Sequence, residues 1–231
     1  MESSKSDLEV SEFILRACHD LRSSTRAVRI HSELLMKDAE GPHSATFEQR
    51  LGYVVAGAQK IDSLVEGLTK YSLALQTDAS SFQSTATGVL LRSALMKLQK
   101  ELSDCDGKVT YDELPRVTGD PDRLMQVLEH LIRNALVHRG EAAPQIHISA
   151  CKQGEEWVFA VRDNGPGVEG DALERIFRPF ERLRGGQSTG AGLGLAISRE
   201  IVERHGGRMW AESQMGEGVT FYFTLPSGVD C

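Results

Sequence analysis

The sequence predicts an α+β protein in two parts. Residues 1–78 form an N-terminal helical hairpin that pairs with a second copy into a dimeric four-helix bundle, and residues 79–231 form an α/β two-layer sandwich. Apolar and small residues recur at steps of three and four along residues 10–75, the signature of a helical seam. Beyond residue 88 the pattern changes to short alternating runs between helical ones. Gly-Gly, Gln-Gly and Asp-Pro pairs sit where those runs must start or stop.

The first stripe runs Val10, Ile14, Ala17, Leu21, Ser24, Val28, His31, Leu35, and the second Phe47, Leu51, Val54, Ala58, Ile61, Leu64 or Val65, Leu68, Tyr71 or Ser72, Leu75. Between them, residues 39–43 contain Gly41-Pro42 and stop a helix, with Ser44 or Thr46 as the next cap. Helices of this length reach roughly 45 Å, and a lone hairpin cannot cover its own apolar stripe. Pairing two hairpins covers it, hence the homodimer. Residues 76–88 are polar and read as a linker or the start of a strand. A helix over 90–102 and a strand over 108–112 follow. Asp120-Pro121 caps a helix running to about His138. Strands over 145–152 and 155–162 pair around Gln153-Gly154, and a helix over 192–205 ends at Gly206-Gly207. Strands over 208–213 and 219–225 close a mixed, mainly antiparallel sheet with helices on one face.

Composition excludes several classes. Lys+Arg 26 against Asp+Glu 33 leaves a net charge of −7, and both parts are mildly acidic, so no nucleic-acid partner is expected. The longest apolar run is five residues, Trp157 to Val161, far short of a membrane span. The start MESSKSDLEV has no signal-peptide character. Cys18, Cys105, Cys151 and Cys231 are scattered without CxxC, as in a cytoplasmic protein with reduced thiols.

Two glycine-rich segments stand at element boundaries: Asp163-Asn164-Gly165-Pro166-Gly167 after a strand, and Gly190-Ala191-Gly192-Leu193-Gly194-Leu195 opening a helix. Each is either a set of tight turns or a place where backbone N–H groups approach phosphate. The second lacks the Lys-Ser/Thr of a P-loop and the preceding strand of a dinucleotide fingerprint. His130, Asn134 and His138 share one helix face at i, i+4, i+8. The two imidazoles are about 12 Å apart along the axis, too far to share a zinc ion, whereas the Asn carbonyl suits Mg²⁺.

In order, Cys18-His19-Asp20-Leu21-Arg22, Leu131-Ile132-Arg133-Asn134-Ala135, the Asp163 segment, Ile176-Phe177-Arg178-Pro179-Phe180 and the Gly190 segment resemble the H, N, first glycine, F and second glycine boxes of bacterial sensor histidine kinase catalytic cores. The resemblance covers about residues 8–226, and Ile201–Trp210 looks most like the phytochrome-linked members. It implies an ATP-dependent kinase that phosphorylates its own His19 and passes the phosphoryl group to an Asp of a response regulator. Asp20 would hold the imidazole N–H, Arg22 steady phosphate charge, and Ser23 stand where a phosphatase-assisting Thr or Asn often does. Asn134 would hold Mg²⁺, and Asp163 would accept from the adenine amino group. Gly165 and Gly167 would wrap the base, while Gly190, Gly192, Leu193 and Gly194 border a lid hinged at Gly185-Gly186. The lid arginines Arg175, Arg178, Arg182 and Arg184 either touch phosphate or stay solvated. Thr220 resembles a Thr that helps hold adenine.

His130, in place of an Asn near the phosphates, and His138 complete the expected nucleotide face. Val137 stands for a common Lys and Ser24 for a Pro. These departures bear on catalysis more than on ATP binding. The alternative is a degenerate ATP-binding dimeric scaffold, and a gyrase- or chaperone-type ATPase leaves the His19 hairpin unexplained. An upstream sensor domain or protein would supply the input.

Overall fold

The computed structural model describes residues 2–37, 45–76, 79–181 and 192–227, without the side chains of 2–16, 20 and 79. The expected helix stop at 39–43, the cap Ser44, the hinge Gly185-Gly186, Arg182, Arg184 and Gly190 lie outside those residues. The chain divides into two compact units, Met1–Lys70 and Tyr71–Cys231.

In the first unit, α1 (Glu2–Met36) and α2 (Ala45–Leu75) form an antiparallel hairpin. The His31 ring stacks on Tyr53 with centroids 4.5 Å apart, and an Arg50 guanidinium nitrogen donates to the Leu34 carbonyl at 3.3 Å. Gly57 faces Val28 so closely that an added Cβ would stand 2.7 Å from Val28 Cγ2. Ala17, Ser24 and Leu64 are buried, from the inner edges of the predicted stripes. The other edges stay open, with Ile30, Leu34, Leu51, Val55 and Val65 all exposed. Two helices bury one seam between them, and a stripe wider than that seam is left facing outward.

In the second unit, β2 (Lys108–Tyr111), β4 (Gln145–Gln153), β5 (Glu156–Asp163), β7 (Gly218–Pro226) and β6 (Met209–Gln214) form one sheet in the order β2-β4-β5-β7-β6. Only the β2–β4 pair is parallel. One face carries Ile146, Ile148, Phe159, Val161, Phe221, Phe223 and Leu225, all buried. Phe159 and Phe223 stack at 4.8 Å. Over this face lie α3 (Thr87–Lys97), α5 (Pro121–Val137) and α6 (Gly194–Arg204), with α5 between the other two. α5 buries Leu124, Leu128, Leu131 and Ala135 at helical spacing, and its cap Asp120 accepts from the N–H groups of Asp122 and Arg123. The arrangement is the expected two-layer sandwich.

Two details differ from the sequence expectation. The helix expected over 90–102 breaks at the fully buried Leu98, where ψ is 8°, into α3 and α4 (Gln99–Ser103). A separate two-stranded ladder pairs β1 (Gln83–Ala86) with β3 (Arg116–Gly119). Four-residue, mostly polar strands leave too few apolar alternations to be read.

Candidate functional site

β5 ends at Asp163, and the chain turns at once through Asn164, Gly165, Pro166 and Gly167. Asp163 is 8% exposed, and its Oδ1 accepts from the backbone N–H of Gly165 at 2.8 Å and of Val219 at 3.1 Å. A buried carboxylate is costly unless hydrogen-bonded, and these two donors both compensate the group and fix its direction. Among the described residues, no hydrogen bond falls on Oδ2. Asn164 fastens the turn to the start of β4: its Oδ1 accepts from Gln145 N at 2.8 Å, and its Nδ2 donates to the Ala143 carbonyl at 3.1 Å.

The turn between β6 and β7 closes the other flank. Gly216 N donates to the Pro166 carbonyl at 2.8 Å. Val168 N donates to Ser213 Oγ, which donates to the Gly218 carbonyl, each at 2.8 Å. Only glycine fits at two points here. Gly167 (φ +83°) would place a Cβ 2.6 Å from the Gln214 carbonyl oxygen, and Gly218 (φ +90°) would place one 2.0 Å from that of Asp163.

The C-terminal half of α5 reaches the same place. A Cβ on Gly165 would stand 3.2 Å from the His138 carbonyl oxygen, so the end of α5 abuts the Asp163 turn. One turn earlier is Asn134, half-buried, and one turn before that is His130. His130 Nδ1 lies 3.2 Å from Ser198 Oγ, which donates to the Gly194 carbonyl at 2.9 Å. The start of α6 is thereby tied to α5. Leu193 is buried beside it, and the Gly192 carbonyl accepts from Phe180 N at 2.9 Å. Glu129, next to His130, stays below the usual carboxylate range: burial works to raise it, but the hydrogen bond and charge of Arg133, with the charge of Lys97, outweigh that.

The structure thus gathers His130, Asn134, His138, Asp163, Gly165, Gly167, Gly192, Leu193 and Gly194 where α5, the Asp163 turn and α6 meet. Thr220 does not join them. It pairs with Arg162, whereas Asp163 and Val161 point to the helix-covered face. Thr220 instead shares the opposite face of β7 with Tyr222, two residues on, where burial and Glu212 raise the Tyr222 pKa. The neighbour that reaches Asp163 is Val219, through its N–H. Ser198, Ser213 and Val219 were not singled out by the sequence. The one signal available was a serine directly after the apolar run Leu195-Ala196-Ile197 and three residues before Ile201, since a buried serine needs a polar partner.

These groups fit an adenine nucleotide. A fixed carboxylate oxygen matches the adenine amino group, which can only donate, and the start of α6 offers backbone N–H groups of the kind that bind phosphate. Among the described residues no three His, Cys, Asp or Glu side chains could jointly hold a metal. Mg²⁺ asks for less, because it keeps waters and takes phosphate oxygens beside one or two protein ligands. The Asn134 carbonyl fits that part.

In the helical unit, Cys18, His19, Arg22 and Ser23 are exposed, while Ala17 and Ser24 are buried. His19 therefore stands on the outer surface of α1. The Asp20 side chain lies outside the described groups.

Residues 119–229 match the family of histidine kinase-, DNA gyrase B-, and HSP90-like ATPases. Cyanobacterial phytochrome A of Nostoc sp. is 38% identical over 225 residues, covering 97% of this chain and 29% of that protein. The alginate biosynthesis sensor protein KinB of Pseudomonas aeruginosa is 33% identical over 229 residues, covering 94% and 37%. The chain spans about a third of the length of these relatives. Among solved structures, the catalytic domain of histidine kinase ThkA matches with a TM-score of 0.55 at 29% identity, covering 63% of this chain and 97% of that one. ThkA in complex with the response regulator protein TrrA matches with a TM-score of 0.71 at 22% identity, over 97% and 64%, and shares the fold. No described helix is long and apolar enough to cross a membrane. Motif order, the sandwich built around Asp163 and the relatives agree, and the chain belongs to the sensor histidine kinase family, with that family's ATP-binding domain.

Proposed function

We propose that this chain is the catalytic core of a two-component sensor histidine kinase, which binds Mg²⁺–ATP at the Asp163 site, phosphorylates its own His19 and hands the phosphoryl group to an Asp of a response-regulator receiver domain. The exposure of His19 carries the reading, because a nucleophile must be reachable by a nucleotide bound elsewhere. An imidazole nitrogen of His19 forms the N–P bond as the bond to the β–γ bridging oxygen breaks and ADP leaves. Asp20 takes the other ring N–H, keeping the attacking nitrogen unprotonated. Arg22 neutralises phosphoryl charge, and the Ser23 hydroxyl orients water for dephosphorylation.

On the nucleotide side, Asp163 Oδ2 accepts from the adenine amino group. Gly165 and Gly167 let the backbone wrap the base, and Gly192, Leu193 and Gly194 lead the lid into α6. Asn134 would hold Mg²⁺, which would supply charge neutralisation; with positioning, that is most of what phosphoryl transfer requires. The apolar side chains left exposed on the hairpin favour a homodimer. An upstream sensor domain or protein supplies the input, and the core works in the cytoplasm.

Incubation with γ-labelled ATP and Mg²⁺ tests the reading. An acid-labile, base-stable label on the wild type that is lost in His19→Gln supports the kinase. Tight nucleotide binding with no label on the wild type would leave the scaffold instead.

A further inference from the structure

Among the described residues, a polar contact joins α5 and α6 close to the expected phosphate end of the site, His130 Nδ1 to Ser198 Oγ at 3.2 Å. Ser198 is fully buried, and its hydroxyl has a single proton. The Gly194 carbonyl, at 2.9 Å, is nearer to the hydroxyl oxygen than His130 Nδ1, at 3.2 Å, which favours sending that proton along the common back-bond of serine inside a helix. The oxygen can then only accept from His130, so Nδ1 must carry the ring proton. We propose that Ser198 is a positioning residue that fixes His130 as its Nδ1–H tautomer and holds the ring against the first turn of α6, setting nucleotide affinity without touching the nucleotide.

The second half of this inference rests on the nucleotide site proposed above. Two features make the contact consequential. First, a neutral imidazole in water favours neither this orientation nor this tautomer by itself; which nitrogen is protonated is set by the hydrogen bond the ring makes. With Nδ1–H committed to Ser198, Nε2 of the neutral ring is an acceptor. A neutral His130 in this tautomer carries its lone pair on Nε2 and offers no N–H there to phosphate. Second, the ring packs at the glycine that opens α6: a Cβ on Gly194 would stand 3.8 Å from His130 Cγ. Holding the ring therefore also holds the backbone turn that leads in from Gly192 and Leu193.

The tautomer is read directly by long-range ¹H–¹⁵N NMR of the imidazole at pH 8 in the nucleotide-free chain. Expected are a protonated Nδ1 in the wild type, retention in Ser198→Thr, whose hydroxyl can make the same back-bond, and a shift toward Nε2–H in Ser198→Ala. In parallel, Mg²⁺–ATP affinity measured by calorimetry is expected to fall about three- to tenfold in Ser198→Ala, the effect of one lost hydrogen bond, and to recover in Ser198→Thr. Thermal unfolding of Ser198→Ala within a few degrees of wild type separates this from a folding defect. An Nε2–H ring in the wild type, or a Ser198→Ala chain with unchanged tautomer and affinity, overturns the proposal. If the wild type binds no nucleotide, the nucleotide reading falls and takes the affinity claim with it, while the spectrum still decides the tautomer.

Discussion

Phe82 stacks on His205 with ring centroids 4.4 Å apart and planes within 10°, joining the segment that enters the ATP-binding domain to the C-terminal end of α6. His205 is 4% exposed. Its Nδ1–H donates to the Ile201 carbonyl at 2.7 Å, and its Nε2 accepts from Asp120 N at 2.9 Å. Asp120 caps α5. One imidazole thus fastens α6, the start of α5 and the incoming chain, at the opposite end of the two helices from His130 and Ser198.

That arrangement requires a neutral ring, and it makes stability depend on pH. Burial lowers the His205 pKa, opposed by the Ile201 carbonyl and the Asp120 charge, whereas the unfolded chain titrates near 6.5. Between the lowered folded value and 6.5 the unfolded state binds the extra proton, so stability is full above 6.5 and falls as pH drops toward the folded value. Melting curves from pH 8 to pH 5 should show the gap between wild type and His205→Gln shrinking with acidification. A gap independent of pH would mean that His205 does not titrate on unfolding. Phe82→Ala should cost about 0.5–1.5 kcal/mol for the aromatic pair, beyond the area it exposes.

Asp163 Oδ1 has a structural duty and, in the proposed function, Oδ2 has a binding one; two substitutions part them. In Asp163→Asn the amide oxygen can still accept from Gly165 and Val219, so melting should change little. If Oδ2 accepts from adenine as proposed, the lost charge and acceptor should weaken ATP binding by more than tenfold, as expected for a hydrogen bond to a charged group worth about 1.5–3 kcal/mol. Asp163→Ala strands both N–H donors and should also destabilise the domain by about 1–3 kcal/mol for each buried donor left unpaired. Calorimetric ATP binding within twofold of wild type in Asp163→Asn would remove this residue from the adenine site.

Thr220 gives the opposite expectation. It lies on the face of the sheet away from Asp163. Thr220→Val should leave ATP affinity within about twofold, less than one hydrogen bond's worth. A larger loss would place the nucleotide, or a water bound to it, across the sheet from where the Asp163 geometry puts it.

Thr220 also marks where sequence reading ran out. A motif position locates a residue along the strand, but which face it points to depends on register, and a shift of one residue inverts every side chain. The long elements were legible because their patterns repeat: α5 declares itself through the Asp120 cap and the run Leu124, Leu128, Leu131, Ala135. The Asp163 turn was legible because Asn and glycines in that order do one thing well. The β1–β3 ladder was not, because four residues hold no period. The links that weld the site, Ser198 to His130 and Val219 N–H to Asp163, join segments far apart in the chain, and local spacing carries no record of such a pairing.

Gly218 should tolerate no side chain. Its φ is +90°, and a Cβ would fall 2.0 Å from the Asp163 carbonyl oxygen, which belongs to a strand and cannot move alone. Gly218→Ala must therefore displace the turn that supplies Val219 N–H to Asp163. Both melting temperature and ATP affinity should drop together, with a stability loss of at least about 1–3 kcal/mol for the strained backbone. Soluble, stably folded Gly218→Ala protein with normal affinity would contradict the close approach.

Ser24 offers a gain instead of a loss. It is 4% exposed inside the hairpin, and its Oγ has no hydrogen-bond partner among the described residues, unlike Thr25, Ser63 and Thr69, whose hydroxyls donate to the carbonyl four residues back. A buried hydroxyl without a partner costs about 1–3 kcal/mol of desolvation, and alanine also favours the helix. Ser24→Ala should therefore stabilise the helical unit by on the order of 1 kcal/mol, read as a higher melting temperature at fixed protein concentration. Gly57→Ala, on the facing helix, should act in the other direction, because its Cβ would meet Val28 Cγ2 at 2.7 Å and force the helices apart. If Ser24→Ala is destabilising, the hydroxyl is satisfied in solution, and a water or a second copy of the hairpin must reach into the seam to satisfy it.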